Sequence, residues 1–121
     1  MLRKTFDTEL QRLQDEMLSL ASMVEQAIID SVEVLKRQDP EGSRRIIAQD
    51  SIINKKRYEI EQDCLNVSAT QQPMAGDLRL LAAILDITSE LERIGDYAKG
   101  IAKINLMIGR TPLLKPLIDV P

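Results

Sequence analysis

Apolar residues recur along the first third of the chain at alternating steps of three and four positions. Side chains with this spacing share one face of an α-helix, and the alternation is typical of a heptad seam. The pattern predicts a first helix over residues 5–38. Its apolar line consists of Phe6, Leu10, Leu13, Met17, Leu20, Val24 and Ala27, and Ser31 and Val34 continue the spacing.

Proline signals separate two further predicted helices, over residues 41–71 and 75–108. Asp39 is a suitable N-cap and Pro40 suits the first helical position, so the second helix is expected to begin there. Pro73 disfavours helical geometry at the residue before it and ends that helix. The second seam is Ile46, Ile53, Ile60 and Val67, with Asp50, Arg57 and Cys64 at its partner positions. The third is Leu81, Ile84, Thr88, Leu91, Gly95, Ala98, Ala102, Asn105 and Ile108.

These elements predict an all-α fold. Short connections make consecutive helices antiparallel neighbours, so we expect an up-down-up three-helix bundle of long antiparallel helices over residues 1–110. Residues 111–121 contain three prolines and are expected to form a Pro-rich tail or inter-repeat linker. The small second half of the third seam predicts that another helix approaches closely near Gly95.

Composition narrows the possible functions. Only 2 % of the residues are aromatic, and the basic residues are scattered in a chain of net charge −3, so nucleic-acid binding is not expected. One cysteine and no histidine point to a reducing compartment. A secretory signal is absent, and the longest apolar run, residues 80–85, is too short to cross a membrane. We therefore expect a cytoplasmic protein without membrane insertion.

Four oxygen-bearing side chains on the second and third helices form a candidate metal site. Asp50 and Asp96 lie equally far from Pro73 along the chain, as do Asn54 and Glu92. In an antiparallel hairpin centred on Pro73, both i,i+4 pairs would lie at one level. Carboxylate and amide oxygens suit Mg²⁺, Ca²⁺ or Mn²⁺, and an iron or zinc site would be unusually rich in oxygen ligands.

A purely structural interpretation competes with the metal site. Acidic pairs at this spacing arise by chance in a chain with 19 acidic residues, and most lie on solvated helix faces. Asp50 falls on the seam, however, and a buried carboxylate requires a cation or an ion pair. Arg57 or Arg93 could supply that ion pair instead of a metal.

Other polar residues carry weaker expectations. Asp77 and Arg79 open the third helix, where an acid complements the helix dipole and pairs at the surface. Cys64 is expected to be a small core residue, and Glu25 to be an exposed glutamate or an additional ligand. No phosphate loop or nucleophile elbow is present, and the lack of histidine disfavours a di-iron enzyme, so we expect no enzymatic activity.

Two runs in the third helix resemble signatures of the PhoU family. Residues 72–79, QPMAGDLR, are similar to the turn motif of that family, and residues 90–98, ELERIGDYA, are similar to its ELERIGD signature. Asp50 with Ile53 and Asn54 resembles its second-helix motif. The resemblance covers almost the whole chain, and the ERIGD run is the specific part of it.

The resemblance implies a cytoplasmic regulator of phosphate uptake and phosphate-starvation signalling. Such proteins act with the phosphate ABC transporter and its ATPase subunit, and restrain a phosphate-sensing histidine kinase. It also implies metal binding at acidic patches, here Glu92 and Asp96 opposite Asp50 and Asn54, with iron, magnesium, manganese or zinc as candidates. Homodimers are expected, and Asp77, Arg79 and Arg93 lie in the shared motifs that bind a partner or support the fold.

The sequence departs from the family pattern in one respect. Proteins of this family usually carry two three-helix repeats, whereas this sequence is similar to the first of them, so we expect either part of a two-repeat protein or a one-repeat relative. Self-association would then cover a seam that one repeat leaves exposed.

Overall fold

The computed structural model describes residues 2–70 and 73–109, and within them every regular element is an α-helix. Helix α1 spans Leu2–Arg37, α2 spans Pro40–Thr70 and α3 spans Ala75–Ile108. The third helix has the predicted bounds, while the first begins three residues earlier than residue 5. The all-α prediction is confirmed. The predicted tail, residues 111–121, lies outside the described residues.

The core is one continuous seam along the three helices, each of which packs against the other two. Every buried apolar side chain in it comes from the predicted lines, because a heptad spacing keeps one face of each helix turned inward. The central cluster consists of Phe6, Leu13, Leu20, Val24, Ile53, Ile60, Cys64, Val67, Leu81 and Ile84. A smaller cluster near the α1–α2 turn consists of Val34, Ile46 and Ala102.

Gly95 lies in the core where the three helices converge. A Cβ atom at this position would be 3.5 Å from Cγ2 of Ile53 and 3.8 Å from Cγ2 of Val24. These are ordinary van der Waals distances, so α1 and α2 contact α3 at this level and leave room for a methyl group.

The turn between α1 and α2 is built by the residues expected to build it. Gln38 adopts the left-handed conformation, with φ of 54°, and ends α1. The Asp39 carboxylate then accepts a hydrogen bond of 3.1 Å from the Gly42 N–H, and the Asp39 carbonyl accepts one from Ser43. The predicted N-cap at Asp39 is thus confirmed, with Pro40 as the first helical residue.

At the other end, α3 finishes at Gly109, whose φ of 65° lies in the region that favours glycine. The Gly109 N–H donates to the carbonyl of Asn105 over 3.0 Å. None of the described helices contains a stretch long and apolar enough to cross a membrane.

Candidate functional site

Asp50 is a buried carboxylate on the face of α2 that packs against α3. It is only 3 % exposed. Asn54, one turn later, donates its amide N–H to Oδ2 of Asp50 over 3.1 Å, and Nζ of Lys99 lies 3.4 Å from the same oxygen. The carboxylate is therefore neutralised by a lysine from the neighbouring helix, which a buried charge requires.

Two oxygens in this cluster have no hydrogen-bond partner. They are Oδ1 of Asp50 and Oδ1 of Asn54, and both are buried. Buried polar atoms of folded proteins are almost always satisfied by protein, water or an ion. Two adjacent acceptors of this kind therefore suit a bound water or a cation that prefers oxygen ligands.

A second ion pair joins α2 to α3 about two turns from Asp50. Nε of Arg57 lies 3.3 Å from Oε2 of Glu92, and Nη1 of Arg57 donates to Glu61 over 2.7 Å. All three side chains are about one quarter exposed. The Glu92 carboxylate is thus already held by a cation of the protein itself.

The α2–α3 register differs from the predicted hairpin by nearly one turn. Lys99, three residues after Asp96, lies against Asp50, and Arg57, three residues after Asn54, lies against Glu92. The prediction assumed a hairpin centred on Pro73, whereas these two ion pairs are centred between Met74 and Ala75 along the chain.

The four predicted site residues therefore have separate surroundings. Asp50 and Asn54 are in contact, Glu92 pairs with Arg57, and Asp96 is exposed. Across residues 2–70 and 73–109, no three His, Cys, Asp or Glu side chains come close enough to hold a metal ion together. Any ion bound here would have to use amide oxygens or a rearranged set of carboxylates.

The predicted ion-pair partners of Asp50 were wrong. Arg57 pairs with glutamates, and Arg93 lies 3.8 Å from Glu90 on the exposed surface of α3. Lys99 takes the place next to Asp50 because the shifted register brings it there. Its position three residues after Asp96, on the same side of α3, is the sequence signal that could have identified it.

Asp77 and Arg79 have different roles from each other. Asp77 is buried, and its Oδ2 accepts a hydrogen bond of 3.0 Å from the Met74 N–H at the start of α3. This carboxylate therefore stabilises the helix N-terminus directly, as expected of an acid that complements the helix dipole. Arg79 is exposed.

Cys64 is a core residue, as predicted, with no exposed surface. Burial raises the pKa of its thiol from 9.0 to about 11, and the neighbouring carboxylates of Asp63 and Glu61 act in the same direction. The thiol therefore stays protonated and unreactive at neutral pH. Glu25 is exposed.

Ion pairs between α1 and α2 were not anticipated from the sequence. Arg12 binds Glu9 at 2.8 Å and Asp63 at 3.0 Å, and Lys56 of α2 binds Glu16. Hydrogen bonds to Glu9 and Asp63 raise the pKa of the Arg12 guanidinium. Partners so far apart in sequence become recognisable only once the register of the helices is known.

The fold and these helix faces define a PhoU-type three-helix domain. The sequence profile of the PhoU domain family matches residues 17–104. Because this match covers more than half of the chain, the chain belongs to the PhoU domain family.

Several curated proteins are similar over most of this chain. The phosphate-specific transport system accessory protein PhoU homolog of Aquifex aeolicus is 35 % identical over 112 residues, which cover 93 % of this chain and 51 % of that protein. The homolog of Clostridium acetobutylicum is 41 % identical over 104 residues, covering 85 % and 48 %. The chain thus spans about half the length of these relatives.

A solved structure is also similar. The crystal structure of the phosphate transport system regulatory protein PhoU from Streptococcus pneumoniae superposes with a TM-score of 0.84 at 34 % sequence identity. The match covers 91 % of this chain and 52 % of that one. It confirms the all-helical bundle.

Proposed function

We propose that this domain is part of an accessory and regulatory protein of phosphate uptake. Membership of the PhoU domain family carries the proposal, supported by relatives that are themselves named phosphate-specific transport system accessory proteins. In this proposal the domain acts in the cytoplasm as a non-catalytic adaptor. It binds the ATPase subunit of the phosphate ABC transporter, restrains a phosphate-sensing histidine kinase when phosphate is plentiful, and forms homodimers.

The exposed arginines of α3 are the proposed contacts with these partners. Arg79 and Arg93 are both solvent-exposed, and Arg93 makes only a long ion pair with Glu90. Arginines of this kind are available to carboxylates of another protein. Asp77, in contrast, supports the partner surface by fixing the start of α3.

Binding of the purified ATPase subunit and of the kinase cytoplasmic region tests the adaptor role. We expect Arg79→Glu and Arg93→Glu to weaken binding about tenfold, the usual scale for reversing an interfacial charge. Arg44→Glu is the matched control, because Arg44 is equally exposed but lies near the start of α2. If the unaltered chain binds neither protein, the adaptor role is refuted.

We also propose a metal-ion site around Asp50 and Asn54, with Glu92 and Asp96 as further candidate ligands. The two buried oxygens without hydrogen-bond partners support it. Iron, magnesium, manganese and zinc are the candidates. Lys99 is the competitor for Asp50, so an ion would have to displace the lysine ammonium from the carboxylate.

Metal titration of the unaltered chain and of two variants separates this proposal from its alternative. If an ion replaces Lys99, then Lys99→Met should bind it more tightly and Asp50→Asn should not bind it. The alternative is a structural dimerisation module whose acidic face is held by ion pairs, favoured by the Asp50–Lys99 and Arg57–Glu92 contacts. In that case no variant binds metal, and Lys99→Met only lowers the stability of the fold. Equal metal binding by the unaltered chain and Asp50→Asn would also refute this site.

A further inference from the structure

The groove between α1 and α2 is closed by ion pairs in one half of the bundle and open in the other. In the half that contains the start of α1, Arg12 binds Asp63 over 3.0 Å and Lys56 binds Glu16. In the half next to the α1–α2 turn, none of the ion pairs among the described residues crosses this groove. Two cavities of about 310 and 280 Å³ lie there instead.

These two cavities form one cleft, because Asp30 and Gln49 line both of them. We name it the α1–α2 cleft. The apolar residues that line the first cavity are Met23, Ala27, Ile52 and Ile53. The second cavity lies nearer the turn and is lined mainly by charged and polar side chains. Small-molecule sites have volumes of about 300–1,000 Å³ and combine apolar walls with a few polar groups, as this cleft does.

Most charged groups at the polar end of the cleft already have close partners. Glu33 binds Arg37 over 2.6 Å within α1. The carboxylate of Asp39 accepts the Gly42 N–H at the start of α2. The charges that remain are one carboxylate on α1 and one guanidinium group on α2.

Asp30 and Arg45 are these two groups. Asp30 is half-buried, and its carboxylate accepts a hydrogen bond of 2.8 Å from the Gln26 amide, but no cation of the described chain pairs with it. The Arg45 side chain is 68 % exposed, and its nearest acidic partner among the described residues is Asp39, at 4.0 Å. A carboxylate and a guanidinium group on opposite helices can therefore each pair with one end of a zwitterion.

We propose that the α1–α2 cleft binds an aliphatic α-amino acid. Its ammonium group pairs with Asp30, its carboxylate pairs with Arg45, and its side chain enters the apolar cavity against Met23 and Ile52. A simple amine would leave Arg45 without a partner, and a fatty acid would leave Asp30 without one. The apolar cavity has room for roughly ten groups of the size of a water molecule, which is enough for the side chain of leucine.

This site goes beyond the proposed function. It lies on the α1 side of α2, whereas Asp50 faces Lys99 of α3. Amino-acid binding can therefore be measured on the chain alone, without the transporter or the kinase, and its failure would leave the proposed transport role unaffected.

NMR titration of the ¹⁵N-labelled chain with L-leucine tests the cleft. Saturable shifts should appear at the amides of Gln26 and Gln49, with a dissociation constant on the order of 1 mM, because solvent-accessible ion pairs contribute little. Leucinamide lacks the carboxylate, N-acetylleucine lacks the ammonium group, and glycine lacks the apolar side chain, so each should bind more weakly than leucine. The absence of saturable shifts with leucine, or equal binding of all four probes, would refute the proposal.

Two charge substitutions assign the binding to the polar end of the cleft. Asp30→Asn and Arg45→Met should each weaken leucine binding about fivefold, the scale of one solvent-accessible ion pair. Asp15→Asn is the matched control for the first, because Asp15 accepts a similar hydrogen bond of 3.0 Å from Gln11 but lines neither cavity. Arg44→Met is the control for the second, because Arg44 is exposed and also lies outside both cavities.

A third substitution tests the apolar end. Ile52 is 57 % exposed, so Ile52→Ser should leave the fold intact and weaken the binding of leucine but not that of glycine. Leu65→Ser is its control, because Leu65 is 54 % exposed on the same helix. In Asp30→Asn, leucine and N-acetylleucine should bind equally, since the ammonium group has lost its partner. If the control variants reduce leucine binding as much as the cleft variants do, the assignment to this cleft is overturned.

Discussion

The two carboxylate oxygens of Asp50 have different surroundings. Its Oδ2 receives the Asn54 amide and the Lys99 ammonium, while its Oδ1 has no partner. Breaking a buried ion pair by removing one partner costs several kcal/mol of folding free energy. The Lys99 contact therefore stabilises the fold, and it also competes with any ion for the Asp50 carboxylate. The same residue therefore belongs to both the structural and the metal-binding hypotheses.

Cys64 makes stability depend on pH in the alkaline range. Its pKa is raised from 9.0 to about 11 in the fold, so the folded chain holds this proton more tightly than the unfolded chain. The resulting stabilisation is fully present below about pH 9 and is lost as the pH rises towards 11, by about 2 kcal/mol. The free energies of unfolding of the unaltered chain and of Cys64→Ala, measured in urea, should therefore approach each other over this pH range. Parallel pH profiles for the two proteins would contradict this prediction.

At the scale of single helices, the sequence predicted most of what the structure contains. The seam positions are local information, because a spacing of three and four residues identifies one helix face whatever packs against it. Asp39 and Pro40 marked the start of α2 for a similar reason, since an N-cap acts on its own first turn.

The α1–α2 turn offers a direct test of a glycine that the fold requires. A Cβ atom at Gly42 would lie 2.5 Å from Cγ1 of Val34 and 2.7 Å from a carboxylate oxygen of Asp39. Gly42→Ala should therefore displace the N-cap and destabilise the domain by about 1–3 kcal/mol. Gly76→Ala is the control, because a Cβ atom there meets nothing within 4 Å. Urea unfolding measures both, and equal stability of the two variants would show that the turn adapts without cost.

The candidate site was predicted less well than the helices. The spacing of the apolar residues identifies which positions face the α2–α3 contact, and Asp50 was correctly expected near this contact. The pairing across it depends on the alignment of the two helices along their length, which apolar spacing does not determine, and an offset of nearly one turn replaced Asp96 with Lys99 opposite Asp50. Because an acid and a lysine differ in charge, this small offset changed the predicted chemistry.

For the whole molecule, α2 is joined to both of the other helices by ion pairs. It forms ion pairs with α1 and with α3 through these contacts: Arg12–Asp63, Glu16–Lys56, Asp50–Lys99 and Arg57–Glu92. The Arg12–Asp63, Glu16–Lys56 and Arg57–Glu92 pairs are partly exposed and contribute at most about 1 kcal/mol each, so they fix the register of α2 more than they stabilise the fold. The Asp50–Lys99 pair is different, because its carboxylate is buried.

Substitutions at Gly95 test how tightly the three helices pack around this residue. Alanine at this position would make only ordinary contacts with Ile53 and Val24, at 3.5 and 3.8 Å. Gly95→Ala should therefore stabilise the domain by up to about 1 kcal/mol, because alanine favours the helix. Gly95→Leu should overfill the core and cost about 1–3 kcal/mol. Thermal and urea unfolding would distinguish the two. A loss of stability with alanine as large as with leucine would mean that α3 lies closer to α1 and α2 than these distances indicate, because a single methyl group would already force the helices apart.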